Sequence, residues 1–116
     1  MIARLMGLST ISPQDLHLLI QAGKVRAIDV NVPSSWLEAR VPGALSLDHA
    51  TYGAADLPAD KSGLLVFYCA NPLCSKAPKA AKRAIRFGHE NVRVMSAGIT
   101  GWVSAGLPIE TGARTT

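Results

Sequence analysis

Leu64-Leu65-Val66-Phe67-Tyr68-Cys69-Ala70-Asn71-Pro72-Leu73-Cys74-Ser75 is the stretch that decides the fold. Its first five residues are apolar without alternation, the pattern of a strand buried on both faces of a parallel sheet. The strand runs straight into Cys69, and a short loop containing Pro72 follows. From Ser75 to Phe87 the pattern predicts a long helix, stopped by Gly88. Pro78 falls in its first turn, where a missing N–H does little harm. A thiol at the mouth of a helix N-terminus meets backbone N–H groups and the positive end of the helix dipole. That setting lowers a thiol pKa, and the thiolate is the reactive form. Cys69 is therefore the candidate nucleophile. The amides of Ala70, Asn71, Leu73, Cys74 and Ser75 are candidate donors to an anion held by the loop, and Pro72 has no N–H to offer. The competing reading keeps Cys69 as a small buried hydrophobe.

Working outward, elements alternate. Ser9-Thr10-Ile11 reads as a short strand. Ser12 then reads as an N-cap, with Pro13 at the first helical position and Asp15 in the first turn. Leu16, Leu19 and Ile20 form the apolar stripe of a helix ending near Gly23. Val25 to Val30 is a strand, Pro33 to Ala39 a short helix, and Leu45 to Leu47 a short strand after a turn at Val41-Pro42-Gly43-Ala44. Asp48 to Ser62 is mixed, with room for one short helix and a loop. Asn91 to Met95 is a strand, and Gly98 to Ala105 a short helix ended by Gly106. Leu107 to Glu110 is expected to trail across the surface and Thr111 to Thr116 to fray. Strands separated by helices imply a parallel sheet covered on both faces, with ligands binding beyond the carboxyl ends of the strands. Cys69 sits at one such end.

The 116 residues, 48% of them hydrophobic, suffice for one domain with its own core, expected over residues 1–116 with order from about 8 to 110. No run approaches the roughly 20 apolar residues of a membrane span. Met1 to Leu8 is too short for a secretory leader, so a cytoplasmic location is expected, where thiols stay reduced. Two cysteines then suggest chemistry more than a structural staple. The net charge of +4 suits anionic small molecules, and without aromatic or Arg-rich motifs it argues weakly for nucleic acid. His17, His49 and His89 show no metal-ligand spacing with the cysteines, and no metal site is expected.

The chain resembles the single-domain rhodanese-like sulfurtransferases over nearly all its length. Ala27-Ile28-Asp29-Val30, followed by Trp36, Glu38 and Val41-Pro42-Gly43-Ala44, looks like that family's first signature. Val66-Phe67-Tyr68-Cys69 looks like its catalytic strand. Asn91-Val92-Arg93-Val94 and Ala97 to Ile109 look like its closing signature. The resemblance implies a three-layer α/β/α fold around a central, mostly parallel five-stranded sheet. It implies sulfur transfer from thiosulfate or a persulfide to a thiophilic acceptor, by way of a persulfide on Cys69 held by the loop amides, without metal or organic cofactor. Partners would be a small-molecule donor and acceptor, with a protein thiol as a further candidate and neither nucleic acid nor membrane. Within this fold a six-residue loop goes with sulfur, and one residue more, closed by an Arg, goes with phosphate. Cys69 to Cys74 has the shorter length and holds neither Arg nor Lys.

Several positions depart from the family pattern. Ala70, Asn71, Pro72 and Leu73 replace the usual charged or polar anion binders, leaving Lys76 and Lys79 as the nearest cations. Such a neutral loop suits a low-molecular-weight or protein persulfide. Asn31 stands where Arg is common after Asp29-Val30, and Ala39-Arg40-Val41 replaces Gly-His-Ile. Cys74 has two readings. It is a resolving thiol that closes a disulfide on Cys69, or a small residue filling the first turn. Two functional alternatives accompany the sulfurtransferase: a thiol redox protein cycling that disulfide, and a non-catalytic rhodanese-like interaction module. Lys76, Lys79, Arg83 and Arg86 align on one helix stripe, opposite Ala77, Ala80, Ala81, Ala84 and Ile85. That stripe is either a solvated face or a docking face for an anionic partner. Trp36 and Trp102 are expected to pack, with Trp102 placed to wall the site's mouth. Asp29 is expected to accept hydrogen bonds structurally, and His49 and His89 to lie at the surface.

Overall fold

The five strands pair in the order β1-β5-β4-β2-β3, and every pairing among the described residues of this sheet is parallel. This is a computed structural model, and it describes residues 2–113. The strands are β1 (Ser9–Thr10), β2 (Val25–Asp29), β3 (Leu45–Ser46), β4 (Leu64–Tyr68) and β5 (Asn91–Val94). The helices are α1 (Ile2–Leu5), α2 (Pro13–Gln21), α3 (Pro33–Glu38), α4 (Lys76–Arg86) and α5 (Gly98–Ser104), with a 3-10 turn at Ala54–Asp56. The expected N-cap is in place: Ser12 Oγ accepts from the Asp15 N–H at 3.1 Å, and Pro13 opens α2. The expected helix over Ser75–Phe87 is α4 with those two residues as its caps.

β4 explains the layering. Its residues alternate between two cores, as a strand buried on both faces must. Leu65 and Phe67 join Ile28, Val94 and the alanines of α4 on one face, with α1 and Tyr52 completing the layer. Val66 and Tyr68 join Leu16 of α2, Val41, Met95 and Trp102 of α5 on the other. Ala77, Ala80, Ala81 and Ala84 are essentially unexposed, and their small side chains let α4 lie close on the sheet.

Several expectations need correction. Ile85 does not share the packing face: it is 47% exposed, one helical step round from Ala84. His89 is not a surface histidine. It is buried, both ring nitrogens lack a hydrogen-bond partner among the described residues, and burial holds its pKa below the usual 6.5. His49 is half-buried. The segment after α5 is pinned rather than trailing. The Trp102 Nε1–H donates to the Pro108 carbonyl at 2.7 Å, and Arg40 and Glu110 exchange backbone hydrogen bonds at 3.0 Å. Gly112 is tied too, its N–H donating to the Leu37 carbonyl at 2.7 Å, so fraying does not begin at Thr111. The rest of that expectation, Arg114 to Thr116, lies outside the described residues. Finally, α1 has no forerunner in the sequence reading, yet Ala3 packs into the α4 layer. No helix among the described residues is long and apolar enough to cross a membrane.

Candidate functional site

Cys69 immediately follows β4, the middle strand, at the carboxyl end of the sheet. It is 3% exposed and packs in the same layer as Ala77 in the first turn of α4. Cys74, five positions on, is joined to it as a disulfide, with the two Cα atoms 6.4 Å apart. Ser75 caps α4, so Cys69–Cys74 is the six-residue span expected between strand and cap. A small void of about 10 Å³ adjoins the pair, lined by Asn71, Ala77, Met95 and Ser96 among others. It has room for no more than about one water.

The loop's amides are not all turned toward the sulfur. Asn71 makes an Asx turn, its Oδ1 accepting from the Leu73 N–H at 2.9 Å, and its carbonyl accepts from the Cys74 N–H at 3.1 Å. Leu73 and Cys74 are therefore withdrawn from the expected set of five donors. The amides of Ala70, Asn71 and Ser75 have no acceptor among the described residues.

The start of α5 holds the loop from below. The Ile99 N–H donates to the Cys69 carbonyl at 2.9 Å and the Thr100 N–H to the Ala70 carbonyl at 3.1 Å. Gly98 has φ +67°, and a Cβ there would lie 2.5 Å from the Ala70 carbonyl carbon and 2.6 Å from the Asn71 nitrogen. Only glycine permits both the backbone turn and the contact.

Asp29 anchors the neighbouring strand end. It is fully buried; its Oδ2 accepts from the Tyr68 hydroxyl at 2.7 Å and its Oδ1 from the Asn31 N–H at 2.8 Å. The Tyr68 oxygen in turn accepts from the Val41 N–H at 3.0 Å. Burial raises the Asp29 pKa above 3.8, opposed by the hydrogen bonds from Tyr68 and Asn31 and by the Arg40 charge. Burial, then the Asp29 charge, raises that of Tyr68, so the phenol remains a donor. Arg40 is itself buried. Its Nη1 donates to the Trp36 and Gly112 carbonyls at 3.1 and 2.8 Å, and its guanidinium stacks 3.7 Å above the Trp36 ring. Its Nε lies 3.4 Å from Glu110 Oε1, an ion pair outside hydrogen-bond geometry.

Beyond the carboxyl ends of β2 and β3 opens a cavity of about 240 Å³, lined by Val30–Pro33, Ser46–His49 and Lys76. Lys76 connects it to the first turn of α4. Trp102 does not wall this mouth. It is wholly buried in the opposite layer, with His17 edge-on at 5.9 Å.

Residues 12–105 match the model of the rhodanese-like domain. The chain belongs to the rhodanese-like family. It is 33% identical over 95 residues to an HTH-type transcriptional regulator of Mycobacterium tuberculosis, matching 80% of this chain and 41% of that protein. The chain thus spans well under half the length of that relative. It is 27% identical over 106 residues to the thiosulfate sulfurtransferase GlpE of Actinobacillus succinogenes, covering 91% and 94% of the two chains. Among solved structures, the BH2092 protein of Bacillus halodurans superposes with a TM-score of 0.81 at 24% identity, covering 89% of this chain and 77% of that one.

Within this rhodanese-like fold, the sequence reading located Cys69, Cys74 and the loop, and took Asp29 for a hydrogen-bond acceptor. It overlooked Gly98 as the loop's support, although Gly98 stands inside the closing signature. It also overlooked Ser96, whose Oγ is buried without a partner among the described residues and borders the Cys69–Cys74 void. No local pattern marks either position, because both roles exist only once β5 lies beside β4.

Proposed function

We propose that this rhodanese-like protein moves a sulfane sulfur from a donor to a thiophilic acceptor through a persulfide on Cys69. With thiosulfate, the Cys69 thiolate attacks the outer sulfur. The new S–S bond forms as the bond to the sulfonate sulfur breaks, and sulfite leaves with the electron pair. The acceptor then takes the outer sulfur and regenerates the thiolate. The observation that carries this reading is Cys69 at the carboxyl end of the central parallel strand, beside the first turn of α4. Family membership and the likeness to a thiosulfate sulfurtransferase support it. The unpartnered amides of Ala70, Asn71 and Ser75 suit a persulfide anion.

The test is intact mass after reduction and incubation with thiosulfate or glutathione persulfide. Addition of about 32 Da, one sulfur atom, is expected, and Cys69→Ser abolishes it. A mass unchanged by either donor overturns the proposal and leaves an interaction module, whereas loss of two protons without the added sulfur marks closure of the Cys69–Cys74 disulfide.

The Cys69–Cys74 pairing favours a second reading, in which Cys74 resolves the persulfide. The Cys74 thiolate attacks Cys69 Sγ, the disulfide forms, and the outer sulfur leaves as hydrosulfide. An external thiol then reduces the disulfide. In Cys74→Ser the adduct is expected to survive at least about tenfold longer, by analogy with removing any resolving thiol. Equal lifetimes in both proteins would remove Cys74 from the chemistry.

Because the loop is uncharged, an anionic donor depends on cations outside it. Lys76 lines the 240 Å³ cavity and Lys79 follows one turn on. Reversing both charges to Glu is expected to raise KM for thiosulfate about fivefold, roughly 0.5 kcal/mol per exposed charge contact, with kcat little changed. Unaltered kinetic parameters would show that these lysines do not meet the donor.

A further inference from the structure

A second, larger groove of about 480 Å³ runs beside α4, lined by Met6, His49, Ala50, Lys79, Lys82, Arg83 and Arg86. We propose that it docks an acidic segment of a partner protein.

Among the described residues, four of the seven that line it are cations, and none is a carboxylate. Met6 and Ala50 add apolar surface against which the stems of Lys and Arg can lie. Arg83 is held in place. Its Nε–H donates to the Tyr52 carbonyl at 2.7 Å, and its guanidinium lies 5.4 Å from the Tyr52 ring and 5.3 Å from the Phe87 ring. The terminal nitrogens of this half-buried side chain have no acceptor among the described residues, so a fixed guanidinium keeps N–H groups for a ligand. A carboxylate meeting it loses less side-chain entropy than one meeting a free lysine.

The groove's shape selects a chain over a small ion. The cations follow α4 from Lys79 to Arg86, about 10 Å of helix at 1.5 Å per residue. An extended peptide covers that length in about three residues. A nucleic acid strand fits less well, because among the described residues no Phe, Tyr or Trp lines the groove as a stacking platform. The groove also has a direction. His49 lines both this groove and the 240 Å³ cavity, and Lys76 continues the cationic stripe toward the Cys69 loop. A segment lying along α4 would therefore point one end at the loop. That consequence, though not the docking itself, rests on the sulfur-transfer reading.

The test uses a fluorescein-labelled peptide rich in Asp and Glu, an isosteric peptide with Asn and Gln in their place, and oligothymidylate of similar length, each titrated by fluorescence anisotropy. The acidic peptide is expected to bind, and to weaken as salt rises from about 50 to 300 mM. Lys82→Glu with Arg86→Glu, both remote from the loop, is expected to weaken it about tenfold. The amide peptide is expected not to bind. The persulfide mass assay, run on the same double variant, should be unchanged, so failure of docking and failure of sulfur transfer are read separately. Equal binding of the amide peptide, tighter binding of oligothymidylate, or an unaltered affinity in the double variant would each overturn the proposal.

Discussion

Gly98→Ala is expected to lower the melting temperature by about 10 °C or more and to slow sulfur loading of Cys69 about a hundredfold. Two costs combine. An Ala at φ +67° carries roughly 1–2 kcal/mol of backbone strain. Its Cβ would also lie 2.5 Å from the Ala70 carbonyl carbon, and no side-chain rotation can relieve a clash with backbone. Either α5 or the loop must shift, adding about 1–3 kcal/mol as an overpacked contact does. The shift acts on the bonds from Ile99 and Thr100 to the Cys69 and Ala70 carbonyls, the contacts that tie the loop's start to α5. Gly106→Ala supplies the control. It has φ +73° with nothing within 4 Å, so it carries the backbone strain alone. Differential scanning calorimetry and the loading rate by quenched-flow mass spectrometry are the measurements. If the two variants melt together and load equally, the Gly98–Ala70 contact does not position the loop.

That contact also marks where reading the sequence stops. β4 and α4 were legible because each is written locally: an unbroken apolar run, then alanines at helical spacing between Ser75 and Gly88. The Ser12 cap was legible for the same reason. Together they placed Cys69 between strand and helix, which is most of the candidate site. What escaped depends on segments far apart in the chain. Gly98 meets Ala70 only after β5 has paired with β4. Arg40 was read only as a departure from the family pattern, and nothing local shows that stacking on Trp36 and the carbonyl of Gly112 hold it inside. His89 reads as polar, but the turn after α4 carries it under cover, its N–H donating to the Ala84 carbonyl at 3.2 Å. The loop's donor count failed differently. Asn71 was read through its backbone N–H alone, whereas its side chain and carbonyl capture two of the amides assigned to the sulfur.

Tyr68→Phe, next to Cys69, is expected to destabilise the protein by about 3–5 kcal/mol at neutral pH, the sum of two losses in a buried network. The Val41 N–H loses its acceptor, and the Asp29 carboxylate loses its donor from Tyr68. The two losses separate by pH. Asp29 has a folded-state pKa already raised above its unfolded value, with burial the largest cause and the Tyr68 hydrogen bond opposing it. Removing that bond raises the folded value further. A carboxyl with a raised folded pKa weakens the fold once it ionises. The penalty is absent below the unfolded value of 3.8 and grows as pH rises through the folded value. The variant must therefore carry a larger penalty than the parent at pH 7, and the excess must vanish on acidification below about 3.8. What remains there is the cost of the orphaned Val41 N–H, about 1–3 kcal/mol. Urea unfolding of both proteins from pH 7 down to pH 3.5 gives the difference directly, because the other carboxyls titrate alike in each and cancel. A stability gap that stays constant across that range would mean that the charge of Asp29 does not depend on Tyr68. The Tyr68 hydroxyl would then act on this strand end through its Val41 bond and not through Asp29.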